Sequence, residues 1–389
     1  MMILSLFSSP SGDISPSRED LEKPLLISPS TAHPFLKLTD YFQAAQAFLF
    51  NDHRDSFLDA LRDGNGSCPQ EKNIRKVTIR SEKQGPICHV ASVEVEGESL
   101  CGKFSLISAV TATGRKALER EFQTLTHLNR KCPLAGLPKV YFKGTMKLTS
   151  GAEEEDLSFF LGEWFEGYHE WHLSRDRDGN PYLCIWDLQD GHRAASEKEF
   201  TEIFRQASRT LTLLYDPETS YRVHPWHHAA GDFVIGNQEG EPRVRLTTAR
   251  GYEPLLTLPG QCAENSLANL LFFFLDMGLR MRLDRLDGVG EAVWIGGGIL
   301  LSVMQGFFEG LKTVIDEGYF KKTVAWDFLD LLKSFSPSEL IAAFEPLLEI
   351  YRRGAQDEMR IIMERLPGHV KGLCSIREKF SLSNPVSAS

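Results

Sequence analysis

The sequence predicts an α+β fold in which a small antiparallel sheet precedes a mainly helical region. Three observations predict it. Residues 76–104 hold three strand-like segments, the first two alternating. Residues 115–128 carry apolar side chains at helical spacing, and two further strand-like segments follow. Beyond residue 167, long helical patterns dominate.

Taken in order, residues 1–34 hold eight Ser and five Pro, a composition that predicts a disordered leader. Residues 35–74 read as a helical extension. Phe42, Ala45, Phe48 and Leu49, then Phe57, Leu58 and Leu61, recur at three- and four-residue spacing from Leu38 to Arg62. Asp63-Gly64-Asn65-Gly66 ends that helix with turn chemistry.

Residues 75–166 form the predicted sheet region. Lys76–Arg80 and His89–Val95 alternate, and Glu96-Gly97-Glu98 turns into Ser99–Phe104. Leu118, Phe122, Leu125 and Leu128 share one helix face, and Pro138–Phe142 and Leu157–Glu163 are the last two strands. The order is three strands, one helix, two strands. Residues 167–367 read as helical, with helices at 196–214, 264–286, 296–316, 323–334 and 337–363. A hairpin, Asp232–Ile235 with Arg243–Leu246, turns at Asn237-Gln238-Glu239-Gly240, and residues 368–389 read as a tail.

Composition removes several classes. The 389 residues suffice for a sizeable core, and 42% apolar with 25% charged residues is ordinary for a globular chain. A net charge of −10 without a basic run argues against nucleic acid and against an anionic membrane surface. Seven scattered cysteines, with no C-x-x-C pair, read as reduced thiols. The apolar N-terminus lacks basic residues and breaks at Ser8-Ser9-Pro10, unlike a secretory signal. The longest apolar run, Leu267–Leu275, is interrupted by Asn269 and closed by Asp276, so no membrane span is expected. A cytoplasmic protein is the expectation. No G-x-S-x-G, P-loop or dinucleotide-binding glycine pattern occurs.

The densest chemistry lies in His224-Pro225-Trp226-His227-His228-Ala229-Ala230-Gly231-Asp232. Lys103 stands in the third strand, and Glu121 follows eighteen residues later in the helix. Glu163-Trp164-Phe165-Glu166-Gly167-Tyr168 follows the fifth strand. Together these features resemble the protein-kinase-like fold, most closely its aminoglycoside and choline phosphotransferase branch, over roughly residues 75–350.

The resemblance implies a two-lobed chain that binds ATP and Mg2+. In that reading Lys103 and Glu121 pair to hold phosphate, and Glu163 and Phe165 belong to the segment that reads adenine. Asp232 is the metal ligand, and His227 or His228 replaces the usual catalytic aspartate as base. The sequence also departs from the pattern. The loop joining the first two strands has one glycine, Gly85, and Thr248 stands where a metal-binding aspartate is expected. Arg250 is the candidate to neutralise phosphate in place of metal, and Glu253 is a candidate to swing in as a ligand.

Plainer readings stand beside these. His227, His228 and Asp232 also suit a transition-metal site completed by His224 or a distant residue, or a hydrogen-bonded knot that supports the loop. His169, Trp171 and His172 read as pocket lining or packing. Arg280 and Asp284 read as an i,i+4 pair near a helix end capped by Gly288. The leading expectation is an ATP-dependent phosphotransferase acting on a small molecule or cell-envelope sugar. The alternative is a pseudokinase serving as a nucleotide-binding or protein-interaction module, with the N-terminal extension as the surface for a protein partner.

Overall fold

The computed structural model describes residues 1–9, 12–65, 71–98, 100–187, 191–255, 266–296, 298–353 and 356–382. The expected turn residue Gly66, the expected helix positions 264 and 265, and the tail residues 383–389 lie outside them. The chain is α+β and divides into two compact units, one formed chiefly by residues 1–133 and 137–167, the other chiefly by 168–187 and 192–389.

The first unit runs β1 (Met2–Phe7), α1 (Arg18–Leu21), β2 (Pro24–Ser28), β3 (Thr31–Lys37), α2 (Leu38–Ala47), α3 (Arg54–Asn65), β4 (Ile74–Gln84), β5 (His89–Gly97), β6 (Leu100–Ala109), α4 (Ala112–Lys131), β7 (Val140–Ser150) and β8 (Glu153–Glu163). Six strands form one mixed sheet in the order β1-β4-β5-β6-β8-β7. Every neighbouring pair is antiparallel except β1 with β4.

Side-chain alternation gives the sheet two apolar faces. Val77, Ile79, Val93, Leu106, Phe159 and Leu161 meet Tyr41, Phe48, Phe57 and Leu61 of the helical extension in the main core. Phe160, one residue out of step, packs instead with Ala109 and with Leu118 of α4. Each fully buried large apolar side chain contributes roughly 1.5–3 kcal/mol. Thr111 caps α4 by accepting from the Gly114 N–H at 3.0 Å.

The leader departs from its expectation. Residues read as disordered from their Ser and Pro content hold β1, which pairs parallel with β4 from Met2↔Lys76 to Phe7↔Ser81. They also hold β2 and the start of β3, a hairpin that runs on to Lys37 in the expected helical extension and puts Leu25 and Leu36 in the core. Composition averages over 34 positions, whereas the ladder needs six residues and an open edge on β4.

The second unit runs β9 (Glu170–Arg175), β10 (Pro181–Trp186), β11 (Arg193–Ala194), α5 (Glu197–Leu213), β12 (Tyr221–Val223), β13 (Phe233–Gln238), β14 (Glu241–Leu246), β15 (Tyr252–Pro254), α6 (Ser266–Arg280), β16 (Leu283–Arg285), β17 (Ala292–Trp294), α7 (Ile299–Asp316), α8 (Val324–Ser334), α9 (Pro337–Ala343), α10 (Glu345–Arg352) and α11 (Gln356–Lys379). α5 and α7 approach so closely that a Cβ on Gly306 would lie 1.9 Å from the Arg205 carbonyl oxygen. Phe273, Phe274, Phe307, Phe308 and Phe328 pack together through tilted and edge-on ring contacts.

The expected tail also departs. α11 continues through Pro367 to Lys379 and buries Leu366, His369, Val370, Leu373 and Arg377. Pro367-Gly368 reads locally as a stop, since an interior proline costs about 3 kcal/mol. Burial of the apolar side chains on either side offsets that cost. Among the described residues no helix is long and apolar enough to cross a membrane.

Candidate functional site

The polar loop between β12 and β13 is built by local chemistry. β12 pairs with β15, and the His224 N–H donates to the Gly251 carbonyl at 3.0 Å. A cis peptide bond joins His224 to Pro225. The chain then turns through Ala230 and Gly231, both at positive φ, to reach Asp232. The Thr247 N–H donates to the Asp232 carbonyl at 2.8 Å, which ties the loop to the end of β14.

Asp232 closes the loop with its side chain. Its Oδ2 accepts the His227 backbone N–H at 2.9 Å and one guanidinium nitrogen of Arg250 at 2.8 Å, and its Oδ1 accepts the other guanidinium nitrogen. The carboxylate is 3% exposed, whereas the Arg250 side chain is 39% exposed. A buried carboxylate is thus neutralised by a two-pronged cation that reaches solvent. Thr248 is buried nearby in sequence and brings no carboxylate.

That arrangement tests the Mg2+ expectation. Mg2+ is a hard ion that binds carboxylate oxygens and several waters in octahedral array. Both Asp232 oxygens are taken by hydrogen-bond donors, and a hydroxyl stands at position 248. The donor set does not fit Mg2+ in this arrangement.

The two adjacent histidines differ. His228 is fully buried: its Nδ1 faces the Trp171 indole N–H at 3.4 Å, and its Nε2 lies 2.8 Å from the Leu283 carbonyl oxygen. A carbonyl only accepts, so Nε2 carries the proton and Nδ1 the lone pair. Burial pushes the His228 pKa down. His227 is half-buried and stacks on His228 with ring centroids 5.0 Å apart. Its Nδ1 accepts the Ala229 N–H at 3.2 Å. Burial, then the neighbouring His228, pushes its pKa down to about 4, so the ring is neutral at pH 7.

Sequence reasoning missed the acid beside this pair. Asp284, expected to pair with Arg280 along a helix, lies on β16 because α6 ends at Arg280. Arg280 pairs instead with Asp276, one turn back, at 3.1 Å. Asp284 accepts the backbone N–H groups of Leu173 and Arg285, each at 2.7 Å, and stands 3.9 Å from His172 Nδ1. Burial opposes the charge on His172, but Asp284 and then Glu170 outweigh it and raise the His172 pKa. Ligand atoms of His227, His228 and Asp284 all lie within 4.8 Å of one another.

A second network was equally hidden. Asp276 of α6 meets Arg222 at 3.0 Å, Arg280 at 3.1 Å and the Tyr351 hydroxyl at 2.9 Å. The Arg222 and Asp276 side chains are each 2% exposed. His224 lies against this group, and burial, followed by Arg222 and Arg280, pushes its pKa down to about 4. Asp276 carried a signal as a lone acid closing an otherwise apolar helical run, and Arg280 as a charged helix end, but nothing in the sequence joined them to Arg222 and Tyr351.

The remaining expected residues lie in the first unit. Lys103 Nζ stands 3.0 Å from Glu166 Oε2 and 5.4 Å from the centroid of the Trp164 ring. Lys103 thus pairs with Glu166, from the segment after β8, and the expected partner, Glu121, is half-buried on α4. Glu163 accepts the Lys139 backbone N–H with its side chain at 3.0 Å, and its own N–H donates to the Lys139 carbonyl at 2.8 Å. Phe165 is half-buried. The structure therefore gathers Lys103 with Trp164 and Glu166 in one unit, and His227, His228, Asp232 and Arg250 in the other. No protein-family model matches the chain, and no curated protein matches it.

Proposed function

We propose that this chain is a kinase-like binding module that holds a nucleotide without transferring its phosphate. One observation carries the reading: Arg250 occupies both oxygens of Asp232, the carboxylate that a kinase-like reading assigns to Mg2+. Phosphoryl transfer relies on metal ions to bridge and neutralise the phosphates. A site whose acid is clamped by a guanidinium, with Thr248 beside it in sequence, is poorly equipped for that step.

The element order supports the kinase-like part. β4-β5-β6, then α4, then β7-β8 follows the expected three strands, one helix, two strands, and a mainly helical unit with the β13–β14 hairpin comes after. Lys103 on β6, beside an acid and an aromatic ring, is a candidate phosphate ligand.

A second reading is an active ATP-dependent phosphotransferase acting on a small molecule or sugar. It is favoured by the 39% exposure of Arg250, because an exposed latch can open. Calorimetric titration of ATP into wild type and Lys103→Ala, with and without Mg2+, together with a phosphate-release assay, separates the two. The module reading expects Mg2+-independent ATP binding that Lys103→Ala weakens, and no turnover. Mg2+-dependent binding with turnover would establish the second reading instead. Absence of ATP binding under either condition would remove both.

A further inference from the structure

We infer that His172, His227, His228 and Asp284 form a buried site for one first-row divalent transition metal of the Zn2+ class. The site is independent of nucleotide binding. Imidazole and carboxylate donors in this proportion suit Zn2+ and its neighbours.

The distances point to an ion. Ligand atoms of His227, His228 and Asp284 lie within 4.8 Å of one another, and His172 Nδ1 lies 3.9 Å from Asp284 Oδ1. The 3.9 Å between His172 Nδ1 and Asp284 Oδ1 exceeds hydrogen-bond length. Donors on one Zn2+ at about 2.0–2.2 Å stand roughly 3.4 Å apart in tetrahedral array, so loading draws His172 Nδ1 and Asp284 Oδ1 closer together.

His172 Nδ1 is buried and has no hydrogen-bond partner among the described residues. Buried polar atoms are nearly always satisfied, and an ion is one of the groups that satisfies them. His172 is also held from behind. A Cβ on Gly288 would lie 2.8 Å from its Cε1, so the ring packs directly on that glycine backbone.

The hydrogen bonds divide in the same sense. The firm one, from His228 Nε2–H to the Leu283 carbonyl at 2.8 Å, is the outer brace that orients a ligating imidazole. The two contacts that occupy lone pairs are longer: Trp171 N–H to His228 Nδ1 at 3.4 Å, and Ala229 N–H to His227 Nδ1 at 3.2 Å. Metal capture exchanges those contacts for coordination. Three of the four ligands are buried and His227 is half-buried, so the site is of the closed, structural kind. It would tie β9 and β16 to the loop before β13.

The test uses tag-free, chelator-stripped full-length protein titrated with Co2+, a spectroscopic substitute for Zn2+. The expected result is one equivalent bound, visible absorption bands of low-coordinate Co2+, their bleaching by Zn2+, and a Tm several degrees higher with metal. His227→Ala and His172→Ala should each weaken binding at least tenfold, with unchanged circular dichroism. His227→Gln serves if an alanine variant fails to fold. No stoichiometric binding by folded wild type overturns the inference, as does binding that survives undiminished in the folded variants. ATP is absent throughout, so this outcome is separate from that of the nucleotide titration.

Discussion

Arg250 grips Asp232 through both terminal guanidinium nitrogens, and the grip is lopsided: the acid is 3% exposed and the base 39%. Removing either partner should therefore have unequal consequences. Arg250→Ala leaves a buried carboxylate with, among the described residues, only the His227 N–H for support, at a cost of about 1–2 kcal/mol after allowing for solvent at the guanidinium. Asp232→Asn keeps an acceptor for His227 and removes the buried charge, so it should cost less. The double variant should be more stable than Arg250→Ala alone. Urea denaturation of the three variants decides this, and strictly additive costs would show that the pair is not coupled.

Much of the first unit is legible in the sequence. Alternation at Lys76–Arg80 and His89–Val95, the strand-like run Leu157–Glu163 and the apolar face of α4 are local signals, and the structure has strands and a helix there. The hairpin turn at Asn237–Gly240 is legible too, with positive φ at Glu239 and Gly240. The site is legible only in part. His227, His228 and Asp232 are contiguous enough to stand out, but Asp284 and His172 reach them through long-range packing that no window of sequence contains. Arg280 illustrates the difficulty: spacing offers Asp276 and Asp284 equally, and only the end of α6 decides between them.

The N-terminal strand supplies a second prediction. β1 covers the outer edge of β4, Phe7 meets Phe42, and Arg80 forks onto Asp13 at 2.6 Å. Deleting residues 1–8 exposes a row of unpaired backbone groups on β4. The truncated protein should unfold several degrees lower and associate at high concentration, as seen by calorimetry and light scattering. An unchanged Tm would mean that the strand adds nothing to the sheet.

Gly306 offers a sharper case. An added Cβ would meet the Arg205 carbonyl at 1.9 Å and its carbon at 2.8 Å, both backbone atoms that cannot swing aside. Gly306→Ala should force α5 and α7 apart and cost at least about 3 kcal/mol. Gly296→Ala, with nothing within 4 Å, is the matched control and should be near neutral. Similar thermal stability for the two variants would refute the close packing.

The Asp276 network should behave as a unit. Asp276→Ala strands Arg222 in the interior and is expected to cost about 3–5 kcal/mol. Tyr351→Phe removes one hydrogen bond and should cost about 1 kcal/mol. In the Asp276→Ala background the Tyr351→Phe cost should shrink towards zero, because its acceptor is already gone. A double-mutant cycle in denaturant measures this.

Acid should destabilise the fold from pH 6.5 downward, before most carboxylates take up protons. His369 is buried between Trp294 and Phe344, and its Nδ1 accepts from the Arg282 guanidinium at 3.2 Å. Burial, then Arg282, pushes its pKa down to about 3. Burial alone pushes that of His89 down to about 4. Each group is neutral in the folded chain and titrates near 6.5 when unfolded. The stability they contribute is complete above pH 6.5 and is lost as pH falls, by about 1.4 kcal/mol per pH unit for each histidine, until the folded pKa is reached. His369→Gln retains an acceptor for Arg282 but binds no proton. Between pH 6.5 and 4.5 its stability should fall less steeply than wild type by about that one-proton slope, even though lost ring packing lowers its stability at pH 7. Parallel pH profiles for wild type and His369→Gln would show that His369 takes up its proton without opposing the fold.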